Sequence, residues 1–448
     1  MATSNNHLAK QYQQKTDKQH ILENPDTYIG SVEKVDTNMW ILPDSGDKIT
    51  LNCFEYIPGL YKLFDEGIVN CRDHAIRMVQ MHARQPTIDH KLVSYIHTTV
   101  SEDGIITFEN DGDGIDVAMH PDYNIWIPEM IFGHLRTSTN YNKDEKRIVG
   151  GKNGFGFKLV LIWSTWGKVE TVDHIRGLHY TQEFHNNLDK IDPPVIKKVK
   201  SSKPFTRVSF RPDYARLGLD EGLSANLLAL FRKRVCDIAA VTDHHHKKIR
   251  VQYNGQIMPV KNFQQYIDMY IGKIRGSGGG AKTGAKDVDA ASENGSVADS
   301  VNGGAVELSK RVYEEANERW EYAVALSPTH QFEQVSFVNG ICTHKGGKHV
   351  DYIIGQIVRK LVAYIEKKKK VQVNPNTIKE QLILFLRCDI ENPAFDSQTK
   401  DFMNTPSNKF GSTCTVSDGF VEKLAKMGVM EAACSLTEIK ERGIKVMS

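Results

Sequence analysis

A sharp change in composition interrupts the sequence at residues 276–304. This stretch is rich in glycine, serine and alanine, contains no aromatic residue, and has only three valines as large apolar residues. A segment of this kind cannot bury enough apolar surface to fold by itself. It therefore divides the 448 residues into a longer and a shorter part, which together are too long for a single core. From its composition the insert can be a loop within one domain or a tether between two.

Both parts carry the periodicities of helices and strands. Alternating or short apolar runs predict strands at 105–109, 248–253, 320–326 and 334–342. Apolar residues at helical spacing predict helices at 60–77, 225–239 and 350–370. The pattern therefore predicts an α/β protein of the α+β kind, with the smaller α/β unit after the insert.

The overall composition excludes several classes of protein. Lys and Arg number 57 and Asp and Glu 55, so the chain is neither a polycation nor globally disordered. The longest apolar runs, 159–163 and 382–386, are far shorter than the ~20 residues of a membrane span. Residues 1–20 lack the apolar core of a secretory signal, so we expect an intracellular protein without membrane contact. Seven cysteines without a CxxC pair favour reduced thiols, and any metal is expected on oxygen ligands.

Three oxygen-bearing side chains share the polar face of the predicted helix 60–77. Glu66, Asn70 and Asp73 follow one another at i, i+4 and i+7, opposite an apolar stripe. A carboxylate one turn from an amide suits a site where one group orients water and the other binds a magnesium ion on phosphates. The alternative interpretation is a solvated helix face, which this pattern alone favours.

Two glycine-rich turns follow. In the first, Asp111 precedes Gly112 and Gly114, and the glycines allow close approach of a flat ligand. Asp111 could then accept a hydrogen bond from an exocyclic amine of that ligand. An ordinary acidic turn is the alternative. The second runs from Gly150 to Lys158 into an apolar helical segment, where free backbone N–H groups and the helix dipole can hold an anion. It lacks the Walker A order, and a flexible loop is its alternative.

Three further segments are weaker candidates. Residues 137–147 combine hydroxyls, an amide and mixed charge in a stretch suited to a lid, with a surface loop as the alternative. Lys400, in the segment 396–400, is a plausible point charge for a phosphate. The lysines at 367–370 end a predicted helix, where a solvated helix end is favoured over contact with nucleic acid.

Taken in order, these motifs resemble the ATP-binding boxes shared by gyrase, the ninety-kilodalton heat-shock chaperone, histidine kinases and mismatch-repair ATPases. The match narrows to the ATPase and transducer region of eukaryotic-type DNA topoisomerase II and covers about residues 11–433. It is carried by QKTDKQHILENPDTYIGS from Gln14, FDEGIVN from Phe64, IFGHLRTSTNY from Ile131, GGKNGFGFKL from Gly150, SFVNGICTHKGGKHVDY from Ser336 and ENPAFDSQTK from Glu391.

The resemblance implies a role for each matching residue. Glu66 would be the general base on the attacking water, Asn70 the magnesium ligand, and Asp111, with Gly112 and Gly114, the adenine contact. Ser138, Thr139 and Asn140 would surround ribose and phosphates. The phosphate loop would comprise Gly151, Lys152, Asn153, Gly154, Phe155, Gly156 and Lys158. Gln398 and Lys400 would reach the γ-phosphate, and Tyr12 would lie in a strap that crosses to the partner protomer.

Three positions depart from the family pattern. In eukaryotic enzymes we expect a second Asn at the place of Asp111, Arg at that of Lys152 and Tyr at that of Phe155. Asp is the residue found in gyrase at the position of Asp111, and it should still accept a hydrogen bond from the adenine amine. Phe155 lacks the hydroxyl of the expected Tyr and any hydrogen bond that it makes.

The resemblance also implies an architecture and partners. A two-layer α/β sandwich ATPase domain with the strap is expected over residues 1–265, and a transducer domain containing the insert over 266–448. ATP and Mg²⁺ are the expected cofactors, and the expected function is an ATP-driven clamp that closes as a homodimer around double-stranded DNA. The alternatives are a non-catalytic DNA-binding clamp and a chaperone-like ATPase.

Two expectations concern what surrounds the clamp. No EGDSA-like acidic motif or cleavage-tyrosine domain is present in this sequence, so DNA cleavage is expected on a core outside it. The family works in the nucleus, or in a viral replication compartment if a large DNA virus encodes the protein.

Overall fold

The computed structural model describes residues 15–44, 46–135, 148, 156–200, 203–242, 248–272 and 311–447, with side chains as far as residue 439. Among these residues, no helix combines the length and apolarity that a bilayer crossing requires. The helices are α1 (Asp17–Glu23), α2 (Pro25–Tyr28), α3 (Pro58–Arg84), α4 (Ile127–Gly133), α5 (Gly156–Ile162), α6 (Ala225–Val241), α7 (Phe263–Ile271), α8 (Lys348–Lys369), α9 (Pro375–Lys379), α10 (Asp418–Leu424) and α11 (Met430–Met447).

The strands up to the insert are β1 (Val35–Ile41), β2 (Thr50–Tyr56), β3 (Tyr95–Val100), β4 (Ile106–Asp111), β5 (Ser164–Asp173), β6 (Leu178–His185), β7 (Lys190–Ile191), β8 (Val195–Lys198), β9 (Phe205–Pro212), β10 (Arg250–Tyr253) and β11 (Gln256–Ile257). Those after it are β12 (Arg311–Asn317), β13 (Trp320–Leu326), β14 (Glu333–Val338), β15 (Ile341–Cys342) and β16 (Leu382–Cys388). The chain therefore has the mixed α/β class that the sequence predicts.

The first unit is a nine-stranded sheet with helices on one face. Its strands lie in the order β11-β10-β3-β4-β9-β5-β6-β7, with β8 paired to β6, and only β10 and β3 are parallel. The long helix α3 packs on this sheet through Phe64, whose ring stacks on Phe231 of α6 at 4.1 Å and meets Phe108 of β4 at 5.2 Å. Since apolar side chains on one sheet face meet the apolar stripe of the helices, this unit is the expected two-layer sandwich.

The second unit is a five-stranded sheet in the order β12-β13-β16-β14-β15. Its two faces belong to different cores. One face packs under α8 and includes Tyr322, Val324, Leu384 and Leu386. The other joins the core of the first unit through Ala323, Ala325, Val335, Phe337 and Phe385. The two units therefore share a continuous apolar contact.

The chain before the insert ends in α7, and the chain after the insert begins in contact with the same helix. The Arg311 guanidinium, at the start of β12, donates to the Gln264 carbonyl at 2.8 Å and lies 2.9 Å from the Asp268 carboxylate, both on α7. The chain thus returns after residue 310 to the helix it leaves after residue 272. The predicted domain boundary after residue 265 falls within α7 and stays a prediction.

One predicted element differs in the structure. The segment 334–342 is not a single strand, because the left-handed residues Asn339 (φ 51°) and Gly340 (φ 75°) turn the chain between β14 and β15. Asn-Gly is the favoured pair for such a two-residue hairpin. This turn points toward the first unit, where it meets α3.

Candidate active site

Helix α3 presents Glu66 to the centre of the molecule. The helix begins with Pro58 at its first turn and is buried along nearly its whole first half. Gly67 brings it against the sheet, since a Cβ at this position would lie 2.1 Å from the Phe108 ring. Glu66 is consequently only 5% exposed, and the polar face predicted from the sequence is not a solvated one.

Two ammonium groups hold the Glu66 carboxylate. Lys62 Nζ lies 2.8 Å from Oε1, one turn away on α3, and Lys400 Nζ lies 3.4 Å from the same oxygen. Burial alone would raise the pKa of Glu66, but the charges of Lys400 and then Lys62 outweigh it, and the pKa lies below its ordinary value. Glu66 is therefore a carboxylate at neutral pH, the state that can orient or deprotonate water.

Lys400 comes from the second unit, in the loop between β16 and α10. It has a left-handed backbone (φ 64°) and is 7% exposed, and its N–H donates to the Ser397 carbonyl at 3.2 Å. Gln398, from the same turn, is half-buried. The predicted juxtaposition of Lys400 with the site is thus present, and Lys62 is an additional cation that the motifs did not indicate.

Asn70 and Gly156 lie beside Glu66. The Asn70 amide donates to the Glu66 carbonyl at 2.7 Å, which leaves its own carbonyl oxygen as the group that could ligate a cation. A Cβ on Gly156, at the start of α5, would lie 3.2 Å from Glu66 Oε2 and 3.7 Å from Asn70 Nδ2. The absence of a side chain there keeps a small space between the helix start and the two polar groups. Asp73, one turn on, lies 3.9 Å from Arg72 instead.

These residues fit a phosphate-bound magnesium ion. Mg²⁺ commonly takes one or two protein oxygens and completes its shell with phosphate and water. Among the residues that the structure describes, no three His, Cys, Asp or Glu side chains gather to form a metal centre. Lys158, in the first turn of α5, is buried, and burial lowers its pKa to about 8. A phosphate beside it would favour its charged form.

The structure does not place Asp111 in this site. Strand alternation sends its side chain to the opposite sheet face, where Oδ1 accepts from the backbone N–H groups of Ser94 (2.6 Å) and Tyr95 (3.0 Å), and Oδ2 from the Ser94 hydroxyl. Both oxygens are therefore engaged in fixing the start of β3. The assignment of Asp111 as the ligand's acceptor does not fit this geometry.

Asn110 occupies the inward position instead. It follows Phe108 on the buried face of β4, and Phe108 packs on Gly67 while a Cβ on Gly112 would lie 3.0 Å from His74. Asn110 therefore lies alongside the turn of α3 that carries Asn70. Its Nδ2 donates to the Asp111 carbonyl at 2.7 Å, which leaves Oδ1 as an acceptor. The alternation of apolar residues at 106 and 108 in the sequence already indicates this face.

A polar row continues from Asn110 across the sheet. Thr206 on β9 pairs in register with Asn110, and Thr171 on β5 pairs with Thr206, their hydroxyls 3.1 Å apart. Thr171 also accepts from the Ile115 N–H at 2.9 Å, and a Cβ on Gly114 would lie 2.0 Å from the Val172 carbonyl. The row brings the turn after β4 onto the sheet. No motif in the sequence indicated these threonines, because they lie on distant strands.

Buried ion pairs join α3 to the second unit. The Arg72 guanidinium donates to Asp389 at 3.0 Å, and a Cβ on Gly340 would lie 2.1 Å from Arg72 Cδ. Arg234 of α6 donates to Asp65 at 2.6 Å and to the Gly340 carbonyl at 2.8 Å. The helix that carries Glu66 is therefore held by both units.

Several predicted site residues lie outside the described part of the chain. They are Tyr12, Ser138, Thr139, Asn140, Gly151, Lys152, Asn153, Gly154 and Phe155. The described residues therefore supply the floor of the site, formed by α3, β4 and α5, and the Lys400 loop.

Known proteins are similar in sequence to nearly the whole length of this chain. A family model described as DNA gyrase B matches residues 263–438. DNA topoisomerase 2 of Arabidopsis thaliana is 39% identical over 435 residues, which are 97% of this chain and 26% of that protein. DNA topoisomerase 2 of Acanthamoeba polyphaga mimivirus is 39% identical over 442 residues, 97% of this chain and 31% of that protein. The chain spans about a quarter to a third of the length of these relatives.

Solved structures match the fold and the extent of the chain. The ATPase region of Saccharomyces cerevisiae topoisomerase II has a TM-score of 0.81 and 34% identity, covering 96% of this chain and 100% of that one. The ATPase and transducer domains of DNA topoisomerase II from Balamuthia mandrillaris also give 0.81, with 32% identity, 97% of this chain and 99% of that one. This chain therefore belongs to the type II DNA topoisomerase family, in the region that these two structures represent.

Proposed function

We propose that this chain is an ATP-hydrolysing clamp, the N-gate of a type II DNA topoisomerase. The observation that carries the proposal is the contact between units: Lys400 Nζ of the second unit lies 3.4 Å from Glu66 Oε1 of the first. A cation delivered from a separate unit to a buried carboxylate can couple the occupancy of one unit to the position of the other. A non-catalytic clamp has no need of such a carboxylate.

Each site residue then has a role. Glu66 orients the attacking water and accepts its proton, while Lys158 and Lys400 hold phosphate charge and Gln398 adds a polar contact in the Lys400 loop. Mg²⁺ on Asn70 would neutralise charge on the phosphates. We assign Asn110 Oδ1 as the acceptor of a hydrogen bond from the adenine amine. Gly112 and Gly114 then allow the adenine ring to approach the backbone closely. The remaining loop residues, from Ser138 to Asn140 and from Gly151 to Gly156, keep their proposed nucleotide contacts.

The proposed partners follow from the same reading. ATP closes two copies of the chain around double-stranded DNA, with Tyr12 in the exchanged strap and residues 266–448 as the transducer. The DNA-cleavage core lies on another part of the full-length enzyme. Plant, yeast and mimivirus relatives support a place of action in the nucleus or in a viral replication compartment.

Light scattering at micromolar protein tests the clamp. We expect a mainly monomeric protein without nucleotide, a dimer with Mg²⁺ and a non-hydrolysable ATP analogue, and no dimer with ADP. The reason is that the γ-phosphate, which ADP lacks, is the group that binds the closed dimer more tightly than the open monomer. An unchanged mass with the analogue would overturn the clamp even if ATP hydrolysis were measured.

DNA stimulation is the second arm of this test. If Lys367, Lys368, Lys369 and Lys370 contact duplex, the DNA binding constant obtained from the stimulation of hydrolysis should fall by about 0.9 log unit per log unit of salt for each phosphate neutralised. If the stimulation does not depend on salt concentration, the contact between these lysines and DNA is wrong.

A further inference from the structure

A cavity of about 380 Å³ lies between the two units, beside the Glu66 site, with which it shares Lys62. Its first-unit wall includes Tyr61, Lys62 and Asp65 of α3. Its second-unit wall includes Gln334, Cys342, His344, Thr399 and Asp401. Apart from Lys62, which binds Glu66, the residues that line the cavity have no nucleotide-binding or catalytic role in the site described above.

The end of β15 turns a thiol and an imidazole toward the cavity. Cys342 and His344 are two residues apart and so point to the same side, whereas Thr343 between them is fully buried and bonds to Ser336 and His349. Cys342 Sγ lies 3.7 Å from His344 Nδ1, within the distance of a sulfur hydrogen bond. Cys342 is half-buried and His344 exposed, so a small reagent can reach both.

Two polar atoms of the cavity wall lack a hydrogen-bond partner. The Tyr61 hydroxyl belongs to a side chain that is nine-tenths buried, and no described atom accepts from it or donates to it. Gln334 Oε1 is similarly without a donor, although Nε2 of the same side chain donates to the backbone carbonyls of Thr343 and His344. Buried polar groups are nearly always paired, so an unmet donor and an unmet acceptor indicate room for a polar guest.

The electrostatics favour a reactive thiol. Burial would raise the pKa of Cys342, but the facing His344 and Lys233 outweigh it, and the pKa lies below its ordinary value. Burial instead raises the pKa of four other cysteines, Cys71, Cys236, Cys388 and Cys414, well above that value. Cys53, by contrast, is exposed on the β1–β2 hairpin and serves as an internal reference.

We propose that this cavity is a covalent modification site, in which Cys342 adds to small uncharged electrophiles with His344 as its proton carrier, and the adduct slows ATP turnover. For a maleimide, the Cys342 proton passes to His344 Nδ1 and the thiolate sulfur bonds to one alkene carbon. The alkene electron pair moves to the neighbouring carbon, which takes the proton back from the imidazolium. The product is a thioether succinimide, and no other reactant is needed.

The position of the adduct explains its effect on turnover. Lys62 lines the cavity and also binds Glu66, while Thr399 and Asp401 line it on either side of Lys400 in the chain. A succinimide here contacts the groups that hold both partners of the Glu66–Lys400 pair. This second part rests on the proposed function, whereas the reactivity of the thiol does not.

Labelling with limiting N-ethylmaleimide at pH 7, followed by peptide mass spectrometry, tests the thiol. On the full chain we expect Cys342 to react about tenfold faster than Cys53, because His344 and Lys233 lower the pKa of Cys342 and so increase its thiolate population. In the His344→Gln variant, whose amide cannot carry the proton, Cys342 should fall to within about twofold of Cys53, with Cys53 unchanged. Equal rates in the parent, or no change in the variant, would overturn the proposal.

Turnover of the labelled protein tests the consequence. We expect the parent labelled at Cys342 to lose about 10²-fold in ATP hydrolysis, the factor that a displacement of about 1 Å around Glu66 can cost. Cys342→Ser should hydrolyse ATP at the parental rate before and after the same treatment. An active labelled parent would overturn the inhibition and leave the thiol reactivity standing. If the untreated parent lacks hydrolysis, the proposed function fails instead, and the labelling rates still decide the site.

Discussion

Glu66 sits between two ammonium groups, and this position decides its charge. The pKa of Glu66 lies below its ordinary value despite burial, because Lys400 and Lys62 oppose the penalty. A carboxylate of this kind stays ionised at neutral pH and loses its charge only in acid.

Replacing Glu66 by Gln tests the general base. We expect hydrolysis to fall by ~10² to 10⁴, the range for loss of a general base, while binding of an ATP analogue persists. A phosphate-release assay and a binding titration measure the two quantities. Glu55→Gln, an exposed change on β2, is the control and should leave both unchanged. Near-parental turnover in Glu66→Gln would remove Glu66 from this role.

Asn110 and Asp111 form a natural pair of test positions, since they are neighbours on opposite sheet faces. Asn110→Ala should weaken analogue binding about fivefold, because loss of one hydrogen bond to a buried ligand costs roughly 1 kcal/mol. Asp111→Asn should instead lower thermal stability, because Asp111 fixes Ser94 and Tyr95, and change affinity little. Isothermal titration and thermal unfolding separate the outcomes. The opposite pattern would restore Asp111 as the acceptor.

His349 on α8 links stability to pH. It is fully buried, 3.1 Å from the Thr343 hydroxyl, and burial lowers its pKa to about 3. Between this value and the ordinary one of about 6.5, the unfolded chain binds a proton that the folded chain does not. Stability therefore rises with pH across this window, by up to about 1.4 kcal/mol per pH unit.

His349→Gln should remove this contribution. Denaturant unfolding between pH 4 and 6 should show a smaller slope of stability against pH, although not zero. Burial also lowers the pKa of His74, to about 4, and that residue remains. A slope equal to that of the parent would contradict the assignment.

Helix α3 combines three tasks: it carries Glu66 and Asn70, packs on the first sheet, and meets the second unit through Arg72. Its apolar stripe predicted the helix, although the structure extends it from Pro58 to Arg84. From the sequence alone, the polar face of this helix could be interpreted either as part of a binding site or as a surface exposed to solvent. Lys400, which contacts Glu66 on this face, and Gly340 and Asp389, which contact Arg72 on the same helix, come some 270 to 330 positions later, and no local pattern encodes such contacts.

Gly340→Ala tests the contact between α3 and the β14–β15 turn. Gly340 has φ 75°, and a Cβ there would meet Arg72 Cδ at 2.1 Å. Gly255 is the matched control: it also follows an Asn in a hairpin, has φ 78°, and has nothing within 4 Å. Gly255→Ala should cost about 1 kcal/mol through backbone strain alone.

Gly340→Ala should cost clearly more than its control and should also lower ATP turnover, because Arg72 must leave Asp389. Chemical denaturation and the phosphate-release assay measure the two effects. Equal losses of stability with parental turnover in both variants would show that the turn does not act on α3.

On the scale of the whole molecule, the class of the fold and its two units follow from periodicity and from the compositional break. Their arrangement does not. β13 and β16 have apolar residues on both faces, which predicts burial without saying what covers each face. One face contacts α8 and the other the core of the first unit, so long-range packing decides the arrangement.

Lys400→Ala tests the coupling of the two units. Turnover should fall by about 10²-fold, as expected for loss of a preorganised charge, and the dimer that the analogue induces should weaken, while binding to the first unit persists. Lys409→Ala changes an exposed lysine of the same unit, away from the Lys400 loop contacts, and is the control. Parental hydrolysis in Lys400→Ala would contradict the coupling.

The return of the chain to α7 at Arg311 makes residues 273–310 a natural insertion point for a reporter domain. Because Arg311 contacts Gln264 and Asp268, one turn apart on the same face of α7, both attachment points are set by the folded protein and not by the length of the segment that joins them. Halving or doubling the length of a flexible connection changes the free energy of loop closure by only about 0.6 kcal/mol. We expect that a fluorescent protein whose termini lie close together can replace this segment and report on the second unit without entering either core.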